Sequence, residues 1–438
     1  MSRQRWQTGG LIACGGALLA LTAIGLLLQD RNARDGFVVV ALAQGAVYLV
    51  AARLAWGGGY SRRVLVMILA VAALMRIVVV LAPPYLSDDL YRYVWDGRVQ
   101  AAGINPYRYV PVDPQLTALQ DAEIFPNINR STYARTIYPP AAEALFLAIT
   151  RVSDSLTGMK AAMALLDVGA ILVLLRLLVR GAMPPERILL YAWHPLTLWE
   201  FAGSGHVDAA VVLFVALALW ARRRDSRALT GFWLGAAALV KLFPIVLLPA
   251  LYRRWDWRLP AAALAVIALG YLPYLGAGTA VLGFLPGYVN EEGLSTGAGF
   301  YIWNMLSAGL PLGSLGVLPY LIFAAAVMAA LAIRIVFASG AERYLLNAAV
   351  LAFAFTVLLS PHYPWYFAWT TVFLCFLPYA GLQYLSVASF LLYLLPAETE
   401  FTPSARTLLI ESAIYLPTAA LALLELWRAR ARPFKVAA

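Results

Sequence analysis

The feature that most constrains this chain is a series of long apolar runs that are almost free of charge. Most of them reach the roughly 17–25 residues that an α-helix needs to cross a bilayer. Because lipid offers no hydrogen bonds to an exposed backbone, each run is predicted to be a helix. The runs are 10–28, 36–56, 62–82, 161–179, 207–221, 259–275, 315–337, 344–360 and 407–427.

The composition excludes a water-soluble protein of this size. The chain of 438 residues is 62% hydrophobic and only 13% charged, whereas soluble domains carry about 25% charged residues. So few charges cannot cover the surface of a soluble domain. We therefore predict an all-α, polytopic integral membrane protein, with residues 1–438 forming one membrane domain that contains no sequence repeat.

The net charge of +10 is concentrated in short loops. Clustering of this kind follows the positive-inside rule, which places basic loops in the cytoplasm, and it argues against nucleic acid as a partner. Both termini are then cytoplasmic in the plasma (inner) membrane, and the first span is expected to stay uncleaved. The basic positions are Arg3 and Arg5; Arg62 and Arg63; Arg222, Arg223, Arg224 and Arg227; Arg253, Arg254 and Arg258; and Arg428, Arg430, Arg432 and Lys435.

Threading the chain between these loops gives about 12–13 transmembrane helices, including further spans at 188–202, 365–380 and 382–396. A long first extracytoplasmic loop with short helices covers 83–160, and a second outer loop covers 276–310. Residues 228–252 lie between two cytoplasmic loops, so one span cannot account for them. We predict a hairpin of two short helices that is broken near Lys241 and Pro244, because proline removes a backbone donor.

The first outer loop opens on an acidic pair, Asp88 and Asp89, just past a membrane span. Carboxylates there cost desolvation energy unless they are paired or used. Asp89, Arg92 and Asp96 are three and four residues apart, so they share one face of a helix. The structural alternative is a solvated helix start, capped by Ser87 or Asp88, with Asp89 and Arg92 forming a weak surface pair.

Five further positions are candidates for binding a substrate. Lys241 interrupts an apolar run in a chain with only three lysines, and an isolated charge in a membrane segment suggests a cation for a lipid phosphate; snorkelling is its alternative. His206 and Asp208 join two spans, and either could bind substrate or cap a helix. Tyr138 and His362 could line the site or belong to the aromatic belt and a turn.

Three segments of the chain resemble one family in the same order. They are SDDLYRYVWDGRVQAAGINPY at 87–107, GSGHVD at 203–208 and ALVKLFPIVLLP at 238–249. The first resembles the opening outer loop of GT-C glycosyltransferases, most closely the bacterial polyprenyl-phosphate-dependent mannosyltransferases, including the glycosyltransferase 87-like group. The resemblance extends over most of the chain.

This resemblance implies a membrane enzyme that transfers a hexose, mannose by preference, from a polyprenyl monophosphate to a lipid or polysaccharide acceptor. In such families an acidic residue of the first outer loop is the general base, which here corresponds to Asp88 or Asp89, with Asp89 preferred. Lys241 and Arg92 would then neutralise the phosphate, and direct attack predicts inversion. No cofactor is expected; two carboxylates could bind a divalent metal, but lysine can do the same work.

Two other functions fit part of the pattern. A transporter or flippase of lipid-linked glycans often has inverted repeats and charges at mid-membrane depth, neither of which is prominent here. A polysaccharide polymerase also has large outer loops, but relies more on arginine and histidine than on an acidic pair beside a helix end.

Overall fold

A computed structural model describes residues 2–28, 34–310, 315–338, 340–395 and 403–431. All regular secondary structure in this part of the chain is helical, without any strand, which confirms the all-α prediction. The first half has nine α-helices: α1 Ser2–Leu27, α2 Arg34–Ala55, α3 Arg62–Leu81, α4 Asp89–Ala101, α5 Pro140–Thr150, α6 Leu156–Arg180, α7 Leu189–Ala192, α8 Pro195–Thr197 and α9 Asp208–Arg223.

The second half is more often interrupted. Its α-helices are α10 Arg227–Ala238, α11 Leu248–Leu251, α12 Arg258–Tyr271, α13 Leu285–Glu291, α14 Tyr301–Gly309, α15 Leu318–Ala338, α16 Tyr344–Leu359, α17 Trp365–Ala368, α18 Ala380–Ala388 and α19 Ala405–Ala431. A π-helix covers Leu198–Gly203, and 3₁₀ helices include Pro114–Leu119, Phe243–Leu247, Leu272–Leu282, Trp369–Phe373 and Ser389–Leu394.

Within the described residues, seven helices are long and apolar enough to cross a membrane, so the protein is a multi-pass membrane protein. Three shorter apolar helices, Pro140–Thr150, Tyr344–Leu359 and Ala380–Leu394, accompany them. Other predicted spans are short or irregular: 188–202 contains α7, α8 and the π-helix. The seven are Gln4–Leu27, Arg34–Ala55, Arg62–Leu81, Leu156–Arg180, Arg258–Glu291, Leu318–Ala338 and Ala405–Arg428.

The interior is built by α2, α3, α6 and α9 around the segment 188–203, which is almost completely buried. By contrast, α15 has none of its most apolar window buried, and its Ile322 and Phe323 side chains are exposed. Apolar side chains on the outside are expected where lipid is the solvent.

Helix α3 ends where the candidate site begins. Pro83 follows Ala82, whose φ of −79° and ψ of 154° are extended, because a residue before proline avoids the helical region. The buried Lys160 of α6 donates from Nζ to the carbonyls of Val79 (3.0 Å) and Ala82. This cation satisfies carbonyls at the helix end and fixes the departure point of the next segment.

A buried ion pair joins α3 to α6 deeper in the bundle. Arg76 Nε lies 2.6 Å from Asp167 Oδ2, and Arg76 Nη1 donates to the Ala192 carbonyl at 2.7 Å. Tyr191 donates its hydroxyl to Asp167 Oδ1 at 2.5 Å. None of these side chains lines the large cavity described below, so we assign them to packing.

Between the basic loops at 222–227 and 253–258, the helical path is interrupted. Helix α10 ends at Ala238, and a 3₁₀ helix begins at Phe243 with Pro244 in its first turn. Lys241 lies in the interruption. Helix α10 packs closely against α9 and α12, and these contacts hold the interrupted segment in place.

Candidate functional site

A cavity of about 890 Å³ opens beside the start of α4. Its wall combines the end of the segment after α3, residues 129–139, the interrupted segment around Lys241, α13 and the segment 362–366. Among the described residues, its basic side chains are Arg34, Arg92, Arg130, Arg135 and Lys241, and its acidic ones are Asp88, Asp89, Glu291 and Glu292.

Asp88 and Asp89 both lie on the cavity wall at the first turn of α4. Asp88 occupies the N-cap position without a side-chain cap bond, and the Ser87 hydroxyl accepts from the Asp89 amide at 3.2 Å. Asn129 donates its side-chain amide to Asp89 Oδ1 at 2.9 Å. The two carboxylates are thus presented to the cavity by a helix N-terminus, where negative charge is favourable.

Helix spacing suggested that Arg92 would pair with Asp89. In the structure it pairs with Asp96 instead. Its Nε lies 2.9 and 3.0 Å from the two Asp96 oxygens, and its Nη1 donates to the Ala134 carbonyl at 3.1 Å. The i,i+4 carboxylate and the carbonyl draw the guanidinium towards α5. Arg92 still lines the cavity, but much of its charge is neutralised by Asp96.

Glu143 of α5 lies behind this pair. It accepts from the Thr136 hydroxyl at 2.6 Å and from the Gln100 amide at 2.7 Å. Burial and the Asp96 charge raise the pKa of Glu143 well above its ordinary value. Burial also raises the pKa of Asp96, although the Arg92 charge opposes this. Only one of two such neighbouring carboxyls readily ionises, and Arg92 favours ionisation of Asp96.

Lys241 and Asp208 form a buried ion pair. Lys241 Nζ lies 2.8 Å from Asp208 Oδ2, and the Asp208 side chain is 0% exposed. The ammonium also lies 4.3 Å from the centre of the Tyr366 ring, a cation–π distance. Lys241 lines the cavity, whereas Asp208 stands behind it.

His206 is completely buried in the connection 204–207, next to the acidic pair. Its Nδ1 lies 3.9 Å from Asp89 Oδ2, its Nε2 lies 3.5 Å from Glu200 Oε2, and neither nitrogen makes a hydrogen bond within the described structure. Its ring stacks on Trp365 at 4.1 Å. Burial, with a contribution from Lys241, lowers the pKa of His206 well below its ordinary value.

The local backbone places His206 beside Glu200. The His206 amide donates to the Glu200 carbonyl at 2.9 Å as the π-helix ends. Gly205 then adopts a φ of +71°, and a Cβ there would lie 2.5 Å from Leu90 Cδ1. A π-helical turn of this kind often occurs at functional sites, and only glycine fits the next turn without strain.

The opposite wall of the cavity is held by ion pairs from α13. Arg130 Nε lies 2.5 Å from Glu291 Oε2, and the Tyr133 hydroxyl donates to Glu291 Oε1 at 2.9 Å. His362 Nδ1 lies 3.1 Å from Glu292 Oε2. The first two contacts connect residues 129–139 to α13, and the third connects the C-terminal end of α13 to the segment 362–366.

The structure brings most of the sequence-predicted site residues together. Asp88, Asp89, Arg92, Tyr138, Lys241 and His362 line the cavity, while Asp96, His206 and Asp208 lie directly behind lining residues. Tyr138 is buried and packs edge-on against Tyr93 at 5.0 Å.

Sequence reasoning missed several residues of the site. Glu200 is an isolated carboxylate in an apolar run, the same signal that identified Lys241, and Tyr393 donates its hydroxyl to both Glu200 oxygens at 2.8 and 3.0 Å. Arg34 begins α2 beside the cavity. Trp365, which stacks between His206 and Tyr363, carries no sequence signal that separates it from a membrane-belt aromatic.

In the described ranges, no group of three or more histidine, cysteine, aspartate or glutamate side chains is arranged to hold a metal ion. What the site offers chemically is a carboxylate base, buried cations and aromatic faces around one cavity. Such a set suits the transfer of a group from a phosphate-bearing donor.

Comparison with known proteins gives the family. Neither a curated protein nor a solved structure matches the chain. A family model, described as alpha-(1->6)-mannopyranosyltransferase, N-terminal domain, matches residues 6–256. This match covers more than half of the chain and includes Asp88, Asp89, His206, Asp208 and Lys241. The chain therefore belongs to the MptA/B family of alpha-(1->6)-mannopyranosyltransferases, a GT-C membrane mannosyltransferase family.

Proposed function

We propose that this mannosyltransferase moves mannose from a polyprenyl-monophosphate carrier to the 6-hydroxyl of a glycan or glycolipid, with Asp89 as general base. The observation that carries the proposal is the cavity itself, where the Asp89 carboxylate and the Lys241 ammonium line a common space. An acceptor hydroxyl needs a base, and a departing phosphate needs a cation.

Asp89 is preferred to Asp88 as the base because of what surrounds it. Asn129 holds one oxygen of Asp89 through a hydrogen bond, and the other oxygen faces the His206 ring. A carboxylate that is fixed in orientation, and still 21% exposed at its side chain, can reach an acceptor hydroxyl in the cavity. The proton of that hydroxyl passes to Asp89 as its oxygen attacks the anomeric carbon.

The basic side chains of the cavity suit the leaving group. When the glycosidic bond breaks, the polyprenyl monophosphate gains negative charge, which Lys241 and Arg34 are placed to stabilise. Lys241 is held by Asp208, yet its ammonium has three donors and a side chain that is 11% exposed. Arg130 is already committed to Glu291 and serves mainly to hold the wall.

The carrier lipid suits the apolar side of the same cavity. Phe243, Ile245 and Val246 line it next to Lys241, and Leu282, Phe284 and Phe355 continue the surface. Among the described residues, only Leu259 and Ala263 of the neighbouring helix α12 are buried, so a polyprenyl chain would reach this wall from the bilayer.

The α linkage of the family product restricts the anomeric configuration that the donor can have. Direct displacement with one base inverts the anomeric carbon, whereas retention normally needs a carboxylate nucleophile opposite an acid. Asp88 and Asp89 are neighbours on one helix turn, which is unsuitable for opposed roles. An α-linked product formed by one inversion requires a β-linked mannosyl phosphate.

The distribution of charge supports an extracytoplasmic site. The cavity lies beside the C-terminal end of α3 and the N-terminal end of α2. The opposite end of α3 begins with Arg62 and Arg63, which the positive-inside rule assigns to the cytoplasm. The cavity would then face the extracytoplasmic side.

The test is mannosyl transfer by the purified full-length protein, using synthetic mannosyl polyprenyl monophosphate of each anomer. Asp89→Asn should lower kcat by about 10²–10⁴-fold, the usual contribution of a general base, while Asp88→Asn retains activity. The β anomer should be the substrate and the α anomer should not.

Glu123→Gln is the matched control, because Glu123 is an exposed carboxylate of the same loop that does not line the cavity. It should transfer mannose as fast as the parent. Full activity of Asp89→Asn would exclude Asp89 as the base, and use of the α anomer would exclude a single inversion.

A further inference from the structure

Behind Asp89 lie the buried side chains of His206 and Glu200, and Tyr393, which lines the cavity, bonds to Glu200. Asp89 Oδ2 faces His206 Nδ1 at 3.9 Å, His206 Nε2 faces Glu200 Oε2 at 3.5 Å, and Tyr393 donates to Glu200 at 2.8 Å. Glu200 and His206 are 0% exposed. Buried groups of this kind are costly unless they have partners or a task.

Among these buried side chains, His206 is the one whose ring nitrogens have no hydrogen-bond partner within the described ranges. Both of its nitrogens are buried and make no hydrogen bond in the described part of the protein, yet each points at a carboxyl group. The His206–Trp365 stack and the backbone bond from His206 to Glu200 hold the ring in this place. A shift of about 1 Å would bring the Asp89 contact to hydrogen-bond length.

We infer that His206 and Glu200 form a proton-accepting pair that restores the Asp89 carboxylate after each transfer. The inference rests on the proposed role of Asp89 as base. His206 and Glu200 do not touch the substrate and act through Asp89, so they are positioning residues.

The proton is conserved at each step. The acceptor O–H bond breaks as its oxygen bonds to the anomeric carbon, and the proton forms an O–H bond on Asp89. That proton then moves to the lone pair of His206 Nδ1 as the Nε2–H proton of His206 passes to a Glu200 oxygen, which leaves Asp89 as a carboxylate, His206 neutral and Glu200 as a carboxylic acid. Tyr393 stays hydrogen-bonded to Glu200, and the ring remains neutral throughout, in agreement with the lowered pKa of His206. After the products leave, the proton returns through Asp89 to water in the cavity.

The arrangement explains why a neutral histidine is buried between two acids. The ring can pass the proton without becoming charged, because its two nitrogens lie 3.9 Å from Asp89 and 3.5 Å from Glu200, whereas the permanent cation Lys241 is neutralised separately by Asp208. While the products occupy the cavity, the proton on Asp89 has no water to accept it, so the relay frees the Asp89 carboxylate before the products leave.

The experiment compares His206→Gln and Glu200→Gln with the parent, using the full-length protein and β-mannosyl polyprenyl monophosphate. Each should lower kcat by about 10- to 100-fold, less than loss of the base itself. The donor KM should change little, because neither residue contacts the donor. His194→Gln is the matched control: His194 is also 0% exposed, but it bonds to Ser386 and does not line the cavity.

Chemical rescue separates proton transfer from packing. His206→Ala leaves a ring-sized space between Trp365, Asp89 and Glu200, and added imidazole should restore kcat. Pyrrole has a similar shape but no basic lone pair, so it should not. If His206→Ala is too unstable to purify, the two glutamine variants provide the test alone.

Parent-like kcat in His206→Gln and Glu200→Gln would overturn the inference, as would equal rescue by imidazole and pyrrole. A donor KM effect without a kcat effect would also overturn it. The Asp89→Asn variant separates failure of the proton-accepting pair from failure of the proposed base. If it is inactive while the His206 and Glu200 variants are normal, only the proton-accepting pair is wrong; if it is active, the proposed base is wrong.

Discussion

Removing the cation of the buried Lys241–Asp208 pair should destabilise the protein strongly. In Lys241→Met, Asp208 keeps its charge but loses the ammonium that lies 2.8 Å away, at a position where its side chain is 0% exposed. Breaking one partner of a buried pair costs about 3–5 kcal/mol, because an uncompensated charge remains. Loss of the Tyr366 cation–π contact adds about 0.5–2 kcal/mol.

The assay is thermal unfolding of the detergent-purified protein, together with mannosyl transfer. The double variant Lys241→Met/Asp208→Asn lacks the stranded charge and should recover most of the lost stability, yet remain slow in transfer, because the phosphate cation is still absent. Arg253→Met is the surface control: its partner is Asp225, and the two side chains are 36% and 50% exposed, so its cost should stay within about 1 kcal/mol.

Two results would refute this reasoning. Parent-like unfolding of Lys241→Met would mean that the pair is not buried as described. A double variant that is stable and fully active would show that Lys241 serves the fold and not the phosphate.

Three further changes test other parts of the site. Gly205→Ala should lower the unfolding temperature by the equivalent of about 1–3 kcal/mol, because Gly205 has a φ of +71° and no room for a Cβ beside Leu90; unchanged melting would contradict this. The pKa of Glu143 is raised, so its stabilising contribution is present below the ordinary pKa and lost as pH rises through the raised one. Unfolding temperature should therefore fall as pH rises above the ordinary carboxyl pKa, and fall less in Glu143→Gln; identical pH curves would exclude Glu143 as the cause. Trp365→Leu removes a ring that stacks on His206 and Tyr363 and should weaken transfer by roughly 2- to 10-fold, the worth of one aromatic contact, with Trp365→Phe intermediate; equal activity in both variants would argue against stacking.

Local rules predicted the outline of the site. The apolar runs indicated the helices, the run 62–82 placed the end of α3, and charge next to that end pointed to Asp88 and Asp89. These features depend on residues within one or two helical turns, so the sequence alone carries them. The same holds for Lys241, whose isolation in an apolar run predicted its place on the cavity.

Pairing across the structure could not be predicted in this way. Helix spacing allowed Arg92 to face either Asp89 or Asp96, and the choice was made by the Ala134 carbonyl, which comes from a different segment. Lys241 pairs with Asp208 of helix α9, which lies 33 residues earlier in the chain. Such choices depend on tertiary packing, for which spacing within a helix has no information.

Isolated charges in apolar runs fall into two groups here, and the cavity separates them. Away from the cavity, Arg76 and Asp167 pair with each other. Arg76 also donates to the Ala192 carbonyl, and Asp167 accepts from the Tyr191 hydroxyl, so this pair joins α3 to α6. Lys241 lies on the cavity, and Glu200 lies one histidine behind it. We therefore propose that a charge in an apolar run indicates function in this protein only when its remaining hydrogen-bonding capacity is directed, itself or through a neighbour, at the cavity. By that criterion Glu200 ranks with Lys241, although it lines no part of the cavity wall.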